Sequence, residues 1–235
     1  MPERAFFLLA GSPGAPRARG PDPLIQAAIG HAGVPRPRIA YVGAASGDNR
    51  VFLRFIGALL KRAGAGEVDL APLCGKRGSL ERARPVLENA DLVFVSGGDV
   101  EAGMKVLEQT GAASFLRRLH RAGRPFFGIS AGSIMLARKW VRWPDPQDDA
   151  TAQLFPCLGF APVLCDTHGE GDDWTELRAL LSLCPAGTTG YGIVSGSALV
   201  VRGRAGVTAM GGEVHVFRRR RDEVARLKSL LPPGT

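Results

Sequence analysis

Ser130 stands between glycines in Gly128-Ile129-Ser130-Ala131-Gly132, at the end of an apolar run that begins at Pro125. A serine attacks a carbonyl when its hydroxyl is accessible, a base lies within hydrogen-bond reach and donors face the developing oxyanion. A short strand that turns sharply into a small-residue helix meets the first need. The serine then sits at the corner, with its hydroxyl off the sheet edge and the next N–H facing the same space. The pattern predicts a nucleophile elbow at Ser130, with Ala131 N–H as one oxyanion donor. Ser96-Gly97-Gly98-Asp99 ends an earlier apolar run, and the Gly97 and Gly98 backbone N–H groups, unobstructed by side chains, are candidates to complete the oxyanion hole with Ala131.

The base must come from the chain's 4 histidines. His31 falls near a helix end, His120 within a helix among arginines and His215 in an alternating strand, so each reads as a surface or edge residue. His168 differs. It follows the apolar run Ala161–Cys165 through Asp166-Thr167, at a strand-to-loop junction beside glycines, and is the candidate base. Gly11-Ser12-Pro13-Gly14 lacks both the GxGxxG spacing and the Lys-Ser/Thr of a phosphate-binding loop, so no nucleotide site is expected there.

These residues need a sheet to bring them together. Apolar runs at Arg4–Ala10, Arg38–Ala44, Glu67–Leu73, Asp91–Val95 and Pro125–Ile129 read as strands. Helical spacing at Pro23–Ala32, Asp48–Ala63, Ser79–Asn89, Val100–Gln109 and Ser114–Ala122 separates them, with Asp22 and Ser79 as caps and Arg82 a charged first-turn residue. Between Gly11 and about Asp22 the chain reads as a Pro/Gly/Arg-rich loop. Alternating strands and helices with nearly continuous apolar strands predict a parallel sheet covered on both faces, with sites at the strands' carboxyl ends. After the elbow come a short helix at Ile134–Arg138, a surface loop at Trp140–Gln153, a strand at Ala161–Cys165 and a helix at Asp172–Leu183. Strands at Gly190–Val194, Ala198–Val201, Gly206–Ala209 and Glu213–Phe217 read as an antiparallel finish to the sheet. The Arg218–Arg221 run opens a closing helix at Asp222–Leu231.

At 235 residues, 45% apolar and 22% charged, the chain is expected to form a single domain over residues 1–235. No apolar run reaches the length of a membrane span, and the protein is expected to be cytoplasmic, without membrane or nucleic-acid partners. The net charge of +8 comes from dispersed arginines, with no interleaved aromatics to stack on bases. The 4 cysteines (Cys74, Cys157, Cys165, Cys184) show no CxxC spacing, and neither zinc nor a disulfide frame is expected.

In this order the motifs resemble the peptidase E (aspartyl dipeptidase) and cyanophycinase family. They are Ser96-Gly97-Gly98-Asp99, the Gly128–Ser133 elbow, Asp166-Thr167-His168, and Gly192-Ile193 before Ala198–Val201. The resemblance spans Ala5 to about Val216. It implies an α/β three-layer sandwich with a mostly parallel central sheet, class I glutamine amidotransferase-like (flavodoxin-like), with antiparallel strands near the C-terminus. It further implies Ser130 as nucleophile, His168 as base and acid, and Gly98 and Ala131 as oxyanion donors. Gly97, Asp99, Ser133, Asp173, Glu176 and Arg178 are then substrate-binding.

Two departures stand out. Where the family carries an acid that orients the histidine, this chain has Ser195, which brings no negative charge. Glu170, Asp166 and Asp172 are substitutes from the histidine loop, Glu170 being grouped with Ser130 and His168; a dyad without an acid is the other option. Where peptidase E members show arginines after the histidine, this chain has Asp173 and Glu176, with Arg178 matching a third. An N-terminal acidic residue in the substrate is therefore not expected to be favoured.

The expected function is a serine hydrolase that cleaves a small peptide or amide through an acyl-enzyme, without cofactor or metal. The alternative is a weak or inactive member of the family acting as a small-molecule binding or scaffold protein. A glutamine amidotransferase fits less well, since the elbow holds serine and no cysteine lies nearby. The oligomeric state is open, a homodimer included.

Overall fold

The computed structural model describes residues 5–11, 20–203 and 206–233; most of the loop expected between Gly11 and Asp22, including Ser12 to Gly14, lies outside them. The first half alternates as the sequence predicts: β1 (Phe6–Leu9), α1 (Pro23–Gly30), β2 (Ile39–Val42), α2 (Arg50–Arg62), β3 (Val68–Leu70), α3 (Leu80–Asn89), β4 (Leu92–Val95), α4 (Val100–Gln109), α5 (Ala112–Arg121) and β5 (Phe126–Ile129). Caps set several of the boundaries. Asp22 accepts the N–H groups of Leu24 and Ile25, Ser79 accepts that of Arg82, and Gly111 at φ 76° separates α4 from α5.

β1, β5, β4, β2 and β3 pair in parallel, and β10 (Ala198–Val201) and β11 (Val207–Met210) add antiparallel strands beyond β1. Side chains alternate across this sheet. Phe7, Leu9, Tyr41, Phe94 and Phe127 pack against α1 and α2, while Phe6, Leu8, Val93, Val95 and Phe126 pack against α3, α4 and α5. The sheet is thus the middle of three layers.

From β5 the chain turns into α6 (Ala131–Leu136). It then makes a hairpin of β6 (Lys139–Arg142) and β7 (Gln153–Pro156) where the sequence suggested only a loop over Trp140–Gln153. Each strand is four residues long with an apolar pair at its centre, Trp140-Val141 and Leu154-Phe155, too short to show a period, and the intervening Pro/Asp stretch conceals their pairing. β8 (Cys165–Thr167), α7 (Thr175–Ser182), β9 (Thr189–Ile193), β12 (Val214–Arg219) and β13 (Val224–Arg226) build a second sheet in the order β13-β12-β9-β8. β8 starts where the sequence placed the end of its strand, and α7 begins at Thr175, with Asp172 in the preceding turn accepting the Trp174 and Thr175 N–H groups. The antiparallel finish is therefore divided between two sheets. The closing helix expected at Asp222–Leu231 does not form; β13 and a bridge at Leu230 pair with β12 instead. The open edge of β12 supplies backbone partners, with Leu227 N–H bonding Val216 O and Leu230 N–H bonding Val214 O, and this pairing overrides weak helical spacing. Arg218 and Arg219 accordingly end a strand.

Where α6 passes under β4, a methyl group on Gly132 would run into the Val95 carbonyl oxygen. Gly132→Ala is expected to destabilise the protein by about 3 kcal/mol and to lower Tm by roughly 6–12 °C in thermal denaturation.

Candidate active site

The backbone of Ser130 has φ 55° and ψ −126°, a region that a side chain rarely adopts. Such a residue costs about 1–3 kcal/mol and persists only where its surroundings hold it. Here Ser130 N–H bonds Leu9 O at 2.8 Å, and Ser130 O accepts Ser133 N–H at 2.8 Å. The strained corner sits between β5 and α6, as an elbow requires. As the first residue of α6, Ala131 has an N–H without a partner inside the helix. Gly97 packs beside the serine: a methyl built on it would lie 3.2 Å from Ser130 Cβ and 3.7 Å from its Oγ. Gly98 has φ 142°, and a side chain there would collide with the Ala45 carbonyl. The structure thus gathers Ser130, Ala131, Gly97 and Gly98 at one strand edge.

Ser133 is fully buried, and its hydroxyl donates to Leu9 O at 2.8 Å. Contrary to the expectation for this residue, it fastens α6 to β1 instead of facing a substrate.

The parallel pairing of β8 with β9 sets Thr167 opposite Ile193, so the residues just beyond both ends meet. His168 turns there with φ 65°, and its Nδ1 lies 2.8 Å from Ser195 Oγ. Glu170 Oε1 accepts Ser195 N–H at 2.7 Å. Burial pushes the Glu170 carboxyl up, but the Ser195 N–H and hydroxyl bonds and the nearby His168 outweigh it and hold the carboxyl below its ordinary value. His168, Ser195 and Glu170 therefore form one hydrogen-bonded unit with Ser195 in the middle. The sequence marked Ser195 only as a missing acid. Its position two residues past the end of β9, one step beyond the residue level with His168 in the parallel pair, is the signal that its hydroxyl meets the ring. No hydrogen bond joins Ser130 Oγ to His168 among the described residues.

Carboxylates crowd the same edge. Asp166 is buried at 5% exposure, and burial together with Glu176 and Asp172 raises its carboxyl to about 7. Burial also raises Glu176, assisted by Asp172 and Asp99, while Trp140 Nε1–H donates to it at 2.8 Å. Asp99 caps α4 through Ala102 N–H, and Glu101 is paired with Lys105 at 2.8 Å and Arg142 at 3.2 Å. The β6–β7 hairpin thus supplies Trp140 and Arg142, neither of which the sequence assigned to the site. Asp173 and Arg178 pair with each other at 3.0 Å. The Arg178 guanidinium also donates to Val224 O and lies over the Phe217 ring, which leaves it built into the second sheet.

A family model for peptidase family S51 matches residues 6–208. Among curated proteins, peptidase E of Streptomyces coelicolor is 30% identical over 56% of this chain and 51% of its own length. The pyridoxal 5'-phosphate synthase subunit PdxT of Geobacillus stearothermophilus is 24% identical over 58% of the chain and 65% of its own. The chain thus spans between half and two thirds of the curated relatives it matches. Among solved structures, a peptidase from an acI-B1 actinobacterium superimposes with a TM-score of 0.68 at 17% identity, covering 98% of each chain. A putative peptidase E from Listeria monocytogenes does so at 0.61 and 14% identity, over 88% of this chain and 98% of its own. These likenesses bear out the expected fold.

Asp166 gives the site a pH signature. An unfolded aspartate holds its proton only below about pH 4, whereas the folded one keeps it to about 7. The folded state binds more protons in that window, so stability falls as pH rises through it and levels off above it. Asp166→Asn is expected to match wild type near pH 4 and to exceed it by roughly 3–4 kcal/mol above pH 7. Urea denaturation across that range checks this, and parallel curves would contradict it.

Proposed function

The chain belongs to peptidase family S51, and on that premise we propose that it is a serine peptidase that hydrolyses a small peptide through an acyl-enzyme on Ser130. The strained Ser130 backbone carries the reading, because a fold keeps such a conformation only where the surroundings hold it in place. In the reaction, the His168 ring takes the Ser130 proton at Nε2 as the hydroxyl oxygen attacks the carbonyl. The Gly98 and Ala131 N–H groups receive the oxyanion. Collapse expels the amine, which takes the proton back from His168, and water then repeats the sequence to release the acid.

In the tautomer that carries the proton on Nδ1, His168 donates to Ser195 Oγ across the 2.8 Å contact, which leaves Nε2 free to act as base. Ser195 in turn passes its own hydrogen toward Glu170, whose charge lies one hydroxyl away from the ring. Ser195 and Glu170 are positioning residues, since they act through His168. With Asp99, Asp172 and Glu176 at this edge and Arg178 held by the second sheet, the site favours substrates with a neutral or cationic N-terminal residue over an acidic one.

A second reading, an inactive relative that keeps the elbow as a turn, draws on the missing hydrogen bond between Ser130 and His168; catalytic bonds often tighten only with substrate present.

A fluorophosphonate probe is expected to label wild type but not Ser130→Ala, whose turnover should fall on the order of a thousandfold or more. Equal labelling of both, or of neither, would sink the assignment. Ser195→Ala removes one bond to a charged ring, worth about 1.5–3 kcal/mol, or ten- to a hundredfold in kcat. KM should change little, the pH–rate profile should shift, and Ser195→Thr should restore activity. On a library of dipeptides differing in the N-terminal residue, lysine, arginine or neutral residues are expected to exceed aspartate in kcat/KM; a strong aspartate preference would refute the pocket assignment.

A further inference from the structure

The carboxyl ends of β2 and β3 enclose a cavity of about 350 Å³ bordered by Arg50, Arg77, Arg82, Asp48 and Cys74. It lies three strands from β5, about 14 Å along the sheet edge from Ser130 at the usual strand spacing. We propose that this cavity binds a small oxyanion, a carboxylate or phosphate, through the guanidinium groups of Arg50, Arg77 and Arg82.

The arginines come from separate elements. Arg50 is the first residue of α2, Arg82 lies in the first turn of α3 and Arg77 is in the loop between β3 and α3. A cation in a helix's first turn opposes the helix dipole, and α2 has no acidic residue there to compensate. None of these guanidiniums pairs with a carboxylate among the described residues. Arg82 Nη1 donates to the Arg77 backbone carbonyl at 3.5 Å, which ties this guanidinium to the loop that carries Arg77. Three arginines border one cavity, and Arg50 among them opposes its own helix with no acid to offset it, whereas Glu81 offsets Arg82 in α3; a bound anion relieves this arrangement.

The remaining polar groups leave the arginines free to act. Asp48 Oδ2 accepts Leu73 and Cys74 N–H groups at 2.7 Å each, and its Oδ1 is buried beside Gly43 and Tyr41. Asn49 and Ser79 cap the two helices with their own side chains, so the guanidiniums are the groups left to bind. Cys74 stays a neutral thiol, since burial and then Asp48 push it up to about 11. Arginine forks suit the oxygens of a carboxylate or phosphate, which accept paired N–H groups.

The test is a thermal shift with inorganic phosphate against sodium chloride of equal ionic strength, on the full chain. At about a hundredfold excess over its dissociation constant, phosphate is expected to raise wild-type Tm by about 5–10 °C. Arg50→Gln/Arg77→Gln/Arg82→Gln is expected to lose that shift while melting about 1–2 °C above wild type without phosphate, because the dipole-opposing Arg50 is gone. Arg77→Gln alone leaves both helices untouched and should lower phosphate affinity at least tenfold by calorimetry. A phosphate shift no larger than that of chloride, or equal in the triple variant, overturns the proposal. A peptide with a free C-terminus, compared with its C-terminal amide, then identifies the source. Displacement of phosphate by the acid alone marks a carboxylate carried by substrate, and displacement by neither marks a free anion. Because binding is read without turnover, the result is independent of whether Ser130 proves to be a nucleophile.

Discussion

The carbonyl oxygen of Leu9 accepts two hydrogen bonds, from Ser130 N–H and from the Ser133 hydroxyl, each at 2.8 Å. Leu9 closes β1, which lies between β10 and β5 in the interior of the central sheet, so the oxygen is fixed by strands paired on both sides. One bond holds the strained residue itself, and the other holds the helix that follows it. Without both, Ser130 would relax out of its left-handed conformation and α6 would swing away from β4. The close approach of Gly132 to Val95 expresses the same constraint from the other side, since the helix can lie this near the sheet only where it carries no side chain. The position of the hydroxyl therefore rests on backbone packing far more than on any contact the hydroxyl makes itself.

Support for the histidine is organised differently. A carboxylate in direct contact with an imidazole stabilises its cation through charge, whereas a hydroxyl offers a dipole and passes on part of a more distant charge. Glu170 lies exposed at the surface, where solvent screens it. The unit of His168, Ser195 and Glu170 is thus suited to fixing the ring's tautomer and direction. Orientation comes from the β8–β9 pairing, which sets both chain ends level, and so it survives the replacement of an acid by serine.

Much of this was legible in the sequence because it follows from local rules. The apolar runs of β1, β2, β4 and β5, the caps Asp22 and Ser79, the break at Gly111 and the glycine pattern around Ser130 each follow from neighbouring residues alone. The rest depended on partners remote in sequence. Asp222–Leu231 carries helical spacing, but β12 presents an open edge that captures it as a strand. The β6–β7 hairpin hides behind a Pro/Asp-rich turn, and so its Trp140 and Arg142 were missed beside Glu176 and Glu101. Ser195 looked inert because its chemistry is created by register, which a list of residue types does not contain. Ser133 erred in the opposite sense: its place in the elbow motif suggested a substrate contact, while its helical phase points it inward.

The sheet edge also separates charge in a way that neither composition nor net charge discloses. Asp99, Asp172 and Glu176 gather on the side of β4 and α7, and Arg50, Arg77 and Arg82 gather beyond β2. A free peptide is itself a dipole, with an ammonium at one end and a carboxylate at the other. Lying along such an edge, it has one favourable direction, amine toward the carboxylates and carboxylate toward the arginines, and the reverse direction sets like charges together at both ends. About 14 Å between strands β5 and β3 corresponds to roughly four extended residues, so on the proposed reading a dipeptide would reach only the acidic end while a longer chain would span both. Under the proposed function, the same charge separation would act on substrate length as well as on direction, through the field of fixed groups.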